Sequence, residues 1–541
     1  MRARGATGTA ARFGGRRRRP PFLLVLPALA AVGAVLLPLA YLVVRVAGGG
    51  ERAWETLTRS GTAELVLDTG LLVGAVAAAA IAVGVPLAWL VTRTDLPARR
   101  VLGVALALPL VIPSYVAALA LLGAFGPRGL LQEALEGPLG IERLPEIYGF
   151  PGAFLALTLS TYPYVYLLAA ASLRSLDPAL EETARSLGQS RLATFWRVTL
   201  PSIRPSIGAG GLLVALYTLS DFGAVSLMQY DALTRSIYLQ YRALFDRVPA
   251  ATLSLVLVAL SALVLLLESR SRRGAHYRTG SGSARPPERV ALGRWRWPAF
   301  AFCGGIVGLF LLIPVAVLVY WSVRAGSFGA PLDLAWRPAL NSLLASGVAA
   351  GFAVLAVLPV ALLWQRYPAA WTRGLERLSY SANALPGIVI ALSLVFFAAR
   401  YAGPLYQTLA LLVFAYVVRF FPQALAGVGS ALQAVSPRLE EAARGLGLGP
   451  WRALAVVTLP LLRSGLGAGA ALVFLSAMKE LPATLLLRPI GFDTLATAVW
   501  KFTQIGAYSR AAPAALLLLV VSAPLVYVLA TRWESNLGAP G

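Results

Sequence analysis

Apolar residues arrive in this chain in blocks of about twenty, a length that crosses the hydrocarbon core of a bilayer as a helix. The stretch LLVGAVAAAAIAVGVPLAWLV from Leu71 is one such block. At ~1.5 Å of rise per residue it reaches ~30 Å. Its apolar character runs round the whole helix rather than along one stripe, which fits lipid better than a soluble core. Of 541 residues, 58% are hydrophobic and 13% charged, against about 25% charged in soluble domains. Barrel strands would be short and alternating, and no such alternation occurs. The chain reads as an all-α polytopic membrane protein with twelve transmembrane helices in two six-helix halves. In the first half the spans are expected near 22–45, 65–91, 101–125, 150–171, 206–227 and 251–268. In the second they are expected near 299–321, 341–364, 382–399, 405–421, 465–487 and 512–531.

A net charge of +23 suggests nucleic acid until the arginines are placed. They lie between spans, and basic short loops mark the cytoplasmic side. Arg16 to Arg19 precede the first span, Arg93, Arg99 and Arg100 follow the second, and eight arginines lie between Arg270 and Arg296. The loop after the third span, with Glu133, Glu136, Glu142 and Glu146, is acidic. This alternation expects both termini in the cytoplasm and a bilayer, not a nucleic acid, as the surround. Ala28-Leu29-Ala30 resembles a signal-peptide cleavage site. The apolar run continues beyond it and has a counterpart near 299–321, so a retained anchor is expected. One cysteine, Cys303, and one histidine, His276, leave no intrachain disulfide and no Cys/His metal site.

The chain is also a duplication. EETARSLGQSRLATFWRVTLP from Glu181 aligns without a gap to EEAARGLGLGPWRALAVVTLP from Glu440, 259 residues later. Pro163 matches Pro422 and Asp221 matches Glu480 at the same offset. Pro86 and Pro113 match Pro359 and Pro386 at an offset of 273, so the first half holds 14 more residues in its acidic outer loop. Six spans per half is an even number, so both halves share one orientation, related by a pseudo-twofold along the membrane normal. The expected divisions are a basic tail at 1–21, a first six-span domain at 22–270, a cytoplasmic linker at 271–298 and a second domain at 299–541.

Each repeat is built as a short capped helix. Asp177 suits an N-cap and Pro178 the first helical position. Glu181 and Glu182 fall where the helix dipole favours acids. Leu180, Ala184 and Leu187 share one face by spacing, and Gly188 supplies a left-handed stop. Ser436, Pro437, Glu440, Glu441, Leu439, Ala443, Leu446 and Gly447 repeat the design. A helix lying on lipid usually carries a basic polar face. Paired acids point instead to a protein partner, and two copies to two equivalent partner subunits.

The pattern Glu-x-Ala, then Gly four residues after the Ala, then Val-x-Leu-Pro, resembles the cytoplasmic loop of ATP-binding-cassette (ABC) importer permeases. It reads Glu182-Thr183-Ala184, Gly188, Val198, Leu200-Pro201 and again Glu441-Ala442-Ala443, Gly447, Val457, Leu459-Pro460. The family form has Glu-Ala-Ala and an Ile before Leu-Pro, so Thr183 and the two valines depart mildly. The resemblance implies the type I importer permease fold, with Glu181–Gly188 and Glu440–Gly447 docking two ABC ATPase subunits. It also implies an extracytoplasmic solute-binding protein and a bacterial inner membrane. The only lysines, Lys479 and Lys501, are followed by Glu480 and Phe502. The chain therefore carries no phosphate-binding loop, and ATP and magnesium are expected on the partner, with no cofactor or metal held here.

Asp221 and Glu480 are acids within spans, a costly placement that marks functional candidates. Two readings stay open: an acidic lining of the pathway, or a structural role pairing with a neighbour or capping a broken helix. The segments SDFGA at Ser220, DALTRSIYLQYRALFDR at Asp231 and MKELPATLLLRPIGFDTLAT at Met478 resemble fused two-domain ferric-iron importer permeases. Thiamine permeases are the close alternative; sulfate, molybdate and polyamine permeases fit less well, as does an ion-coupled secondary transporter. Tyr162, Tyr164 and Tyr166 carry phenols suited to ferric iron, but packing or interfacial tyrosines are the commoner use.

Overall fold

The computed structural model describes residues 20–127, 129–139, 145–243, 247–273, 289–327 and 333–536. Most of the basic tail, the centre of the linker with His276, and Glu142 of the acidic loop lie outside the described residues. Among those described, every regular element is helical, apart from one isolated bridge between Thr94 and Val290. The first half contains α1 (Phe22–Ala47), α2 (Ser60–Arg93), α3 (Ser114–Phe125), α4 (Phe150–Ser175) and α5 (Pro178–Ser186). It continues with α6 (Leu200–Ser220), α7 (Gly223–Leu227) and α8 (Val248–Arg273). The second half repeats the series as α9 (Gly293–Arg324), α10 (Asp333–Arg366), α11 (Gly387–Tyr401), α12 (Leu409–Ala434) and α13 (Pro437–Gly445). It closes with α14 (Leu459–Met478), α15 (Pro482–Leu487) and α16 (Tyr508–Asn536).

Nine helices among the described residues are long and apolar enough to cross a membrane, ten if Ala370–Ala384 and Gly387–Tyr401, bent by 101°, make one span. Twelve were expected; those near 206–227, 382–399 and 512–531 are not among the nine, and local breaks interrupt several of the expected segments. The expected span 101–125 breaks at a 3-10 turn, Leu108–Val111, before Pro113. The segment expected at 206–227 is α6, which stops at Ser220, followed by the single helical turn α7. That expected at 465–487 divides in the same way, between Met478 and Pro482. The segment expected at 512–531 lies in α16, whose apolar part, Tyr508–Pro524, is shorter than a full span. Proline lacks the N–H an uninterrupted helix needs, and polar groups at depth must find partners inside the protein. Both facts favour breaks that are buried.

Each half is built on a three-helix core: α2, α4 and α6 in the first, α10, α12 and α14 in the second. Close approach depends on glycine at matched places. A Cβ on Gly210 would lie 3.0 Å from the Val165 Cα, and one on Gly427 would lie 2.8 Å from the Gly469 Cα. Small residues let helix backbones meet in lipid, where no hydrophobic drive separates helix from solvent. The halves also exchange their first helices. Helix α1 packs on α10 and α11, and α9 packs on α3. Trp321 Nε1 donates to the Gly123 carbonyl at 3.1 Å across this seam. The chain re-enters after the linker by pairing with the turn beyond α2: Val290 N–H donates to Arg93 O at 2.8 Å, and Leu292 N–H to Asp95 Oδ1 at 2.9 Å.

The two short helices form as the repeat predicts. The Asp177 carboxylate accepts from the Ala179 N–H at 3.0 Å, and Ser436 Oγ from the Arg438 N–H at 3.4 Å. Gly188 and Gly447 adopt φ of +85° and +89°. Gln189 N–H then donates to Ala184 O, and Leu448 N–H to Ala443 O, each at 3.1 Å, which is the Schellman closure. A π-helical turn follows in both copies, Phe195–Thr199 and Leu454–Thr458.

The first acid of each pair turns inward. Thr199 Oγ1 donates to Glu181 Oε1 at 2.7 Å, and Arg93, at the end of α2, lies 3.5 Å from its other oxygen. Thr458 Oγ1 donates to Glu440 Oε1 at 2.8 Å, and Arg366, at the end of α10, reaches it at 3.0 Å. Arg93 also donates to the Leu173 carbonyl at 2.7 Å, tying in the end of α4. Each short helix is thus fastened to its own core by an acid, a guanidinium and a hydroxyl. The expectation that both acids face a partner is corrected for Glu181 and Glu440. On the apolar face Ala184 and Ala443 are buried, whereas Leu180, Leu187, Leu439 and Leu446 are exposed.

Breaking a buried pair leaves an uncompensated charge. The Glu440 side chain is 10% exposed and that of Glu181 is 22%. Glu440→Ala should therefore destabilise the purified protein by about 2–3 kcal/mol and Glu181→Ala by about 1 kcal/mol. Thermal unfolding followed by circular dichroism reads the difference, and equal losses would refute the ranking.

Candidate functional site

Two features stand out: the outer surface of α5 and α13, and a cavity between the halves. With the first acids and the alanines facing inward, each short helix presents the second acid, Glu182 or Glu441, to the outside. Beside them stand leucines that bury nothing: Leu187 is 77% exposed and Leu446 87%. Large apolar side chains at matched, rigidly capped positions form a contact surface rather than a core. The end of the molecule that carries them is basic. The Arg99 guanidinium there is held below its ordinary range, first by burial and then by Arg289, Arg100 and Arg174. Leu200-Pro201 and Leu459-Pro460 open α6 and α14 directly after the π turns. A push on either short helix therefore passes along the chain into a core helix.

Those two core helices lead to the cavity, which has a volume of about 750 Å³ and is lined by both halves. Asp221 and Glu480 both line it, each nearly buried. Both sit at the break between a long helix and a short one. Asp221 Oδ1 accepts from the Ala224 N–H at 2.9 Å, and its other oxygen accepts from Ser114 Oγ at the start of α3. Glu480 Oε1 accepts from the Ala483 N–H at 3.4 Å. Position 114 corresponds to 387 in the second half, and there the residue is glycine. A Cβ on Gly387 would lie 2.4 Å from Glu480 Oε1. The longer acid occupies the room that serine fills opposite the shorter one. Asp–Ser and Glu–Gly are two solutions to one joint, in which an acid caps the helix after the break.

These acids thus line the cavity and cap broken helices. The breaks meet at the seam, where a Cβ on Gly223 would lie 3.4 Å from Leu481 Cδ2. The tyrosine expectation resolves residue by residue. Tyr162 donates to Leu106 O at 2.8 Å and Tyr166 to Gly103 O at 3.0 Å, which fixes both phenols to the backbone around the broken segment. Tyr164 lines the cavity.

The sequence reading missed three cavity residues, all from the second half. Lys479 reaches across the seam and donates to the Leu110 carbonyl at 3.1 Å. Arg419 donates to the Leu385 carbonyl just before the α11 break. Gln423 accepts from Ser476 Oγ at 2.7 Å. At the 259-residue offset, Arg419 and Lys479 correspond to Ser160 and Ser220. Departure from the repeat at positions within a span was the available signal. Among the described residues no group of three or more His, Cys, Asp or Glu side chains could hold a metal ion.

The family described as binding-protein-dependent transport system inner membrane component matches at residues 70–274 and 357–533, once in each half. The Fe(3+)-transport system permease protein FbpB 2 of Haemophilus influenzae is 35% identical over 95% of this chain and 98% of its own length. The ferric transport system permease protein FbpB of Actinobacillus pleuropneumoniae is 25% identical over 77% of this chain and 64% of its own. The molybdenum transport system permease protein ModB of Mycobacterium bovis is 32% identical over 46% of this chain and 92% of its own. That last match is the size of one half. The chain is a multi-pass membrane protein belonging to the binding-protein-dependent transport system inner membrane components, the permeases of ABC importers.

Proposed function

We propose that this chain is the transmembrane permease subunit of an ATP-driven importer for ferric iron. The observation that carries the reading is the pair of matched short helices, each locked to a core helix and each presenting leucine and glutamate outward. One chain with two such helices serves two copies of an ABC ATPase, which hold the ATP and magnesium. The basic end that bears the helices is the cytoplasmic face of a bacterial inner membrane, with both termini on that side. An extracytoplasmic binding protein delivers cargo to the opposite end. Ferric cargo is supported by the end-to-end likeness to the Haemophilus influenzae permease.

The mechanism follows from the connections. Closure of the ATPase dimer moves α5 and α13 together. The acid–guanidinium–hydroxyl nodes transmit that movement to α2 and α10, and the Leu-Pro starts transmit it to α6 and α14. These last two end at the capped breaks beside the cavity, so its walls shift as the ATPases close. The short helices after each break then act as the movable joints of the path.

Two measurements test this. Proteoliposomes holding the chain with its ATPase and binding protein should take up radioactive ferric iron with ATP inside, and uptake without ATP should stay at the leak level. Iron uptake driven by an ion gradient alone would refute the reading. Separately, replacing Leu187 and Leu446 together by Asp puts charge where an apolar contact is expected. At about 1.5–3 kcal/mol for each buried leucine, the double variant should lose co-purification with the ATPase while still inserting in the membrane. Full retention of the ATPase would remove the docking assignment.

A further inference from the structure

The cavity is not the acidic passage that its two carboxylates suggested. Its charged lining comprises Asp221, Glu480, Arg174, Arg419 and Lys479. The acids are largely committed. Both Asp221 oxygens accept hydrogen bonds, from Ser114, Ala224 and Val225, and Glu480 caps α15. Arg419 and Lys479 are not. Neither Arg419 nor Lys479 forms an ion pair among the described residues, and each donates to a single carbonyl. A guanidinium carries five N–H donors and an ammonium three, so most of this capacity is unspent. The Gln423 carbonyl is taken by Ser476, which leaves its amide nitrogen as a further donor.

All three groups come from the second half, where the first half has Ser160, Tyr164 and Ser220 at the same offset. Cations at membrane depth are costly to keep. A wall of spare donors fits oxygen-bearing anions, which a guanidinium and an ammonium hold by charge-assisted hydrogen bonds. A bare ferric ion, by contrast, would be repelled by Lys479.

We infer that Arg419, Lys479 and Gln423 form an oxyanion site in the cavity. The oxyanion is either the anionic oxygen ligand of a ferric complex, so that iron crosses with its ligand, or a free oxyanion. In the first form the inference rests on the ferric reading above and names the species carried; in the second it stands without it. The reconstituted importer, with ATPase and binding protein, is loaded with radioactive iron together with labelled phosphate or labelled citrate. Uptake of one label in fixed proportion to iron supports the iron–anion form. ATP-driven phosphate uptake without iron supports the oxyanion site and removes the ferric reading. Iron entering with neither label overturns the inference and leaves the ferric reading standing.

Charge at the site is tested on protein that inserts and co-purifies with the ATPase. Arg419→Gln with Lys479→Gln should lower uptake about tenfold or more, and Arg419→Lys with Lys479→Arg should keep most of it. Unchanged uptake in the neutral pair, or equal loss in both pairs, would overturn the site.

Discussion

The fold leans on one buried arrangement made twice: a carboxylate at the start of a short helix, a guanidinium at the end of a long one, and a threonine hydroxyl from the turn between. Without it, α5 and α13 would be nine-residue helices on a surface loop, too short to hold themselves together. Their caps and glycine stops fix their shape but not their attachment. Glu181 and Glu440 supply the attachment, through Arg93 and Arg366. The two nodes differ in depth. In the second half the acid and guanidinium meet at ion-pair distance; in the first they stand further apart, and the Arg93 backbone also carries the returning linker through Val290. One coupling helix is therefore tied to the junction of the two halves, and the other only to its own core.

The second constraint is how a helix may stop inside a membrane. Irregular backbone at that depth needs its polar groups satisfied by protein or by a water-lined cavity. Asp221 and Glu480 meet that need by capping the helices that follow, and Arg419 and Lys479 meet it by donating to carbonyls beside the α11 and α3 breaks. Asp221 and Glu480, which look like liabilities in the sequence, are thus the caps of the helices that follow the breaks. Because the same breaks line the cavity, stabilising the fold and lining the cavity fall to the same residues.

Much of this was legible in the sequence, and the rest was lost for physical reasons. Block length and all-round apolarity gave the helical membrane class, and the ungapped repeat gave the two halves. Asp177, Ser436, Gly188 and Gly447 were readable because caps are local: each acts within a few residues of its own position. Glu181 and Glu440 were misread because their partners are remote. Arg93 lies 88 residues before Glu181 and Arg366 lies 74 before Glu440, and helical spacing cannot say which of two adjacent acids turns toward them. The breaks within the expected spans went unseen because hydropathy registers apolar residues and not the hydrogen-bond accounting at Pro113, Asp221 and Glu480.

The duplication carries a further lesson, in where it is broken. Had the second half kept serines at positions 419 and 479, as the first half does at 160 and 220, the charged lining of the cavity would be Asp221, Glu480 and Arg174 alone. Asp221 and Glu480 show that one joint can be solved twice with different residues, so divergence there is compatible with an unchanged fold. Arg419 and Lys479 are different in kind, because Ser160 and Ser220 already satisfy the same positions in the first half without charge. Ser160 donates to Ala156 O within its own helix, at 2.9 Å. A charge placed where its twin does without one adds desolvation cost that the fold does not require. The two short helices with their acid–guanidinium–hydroxyl nodes are accordingly the symmetric part of this protein, and the charged wall of the cavity is the asymmetric part.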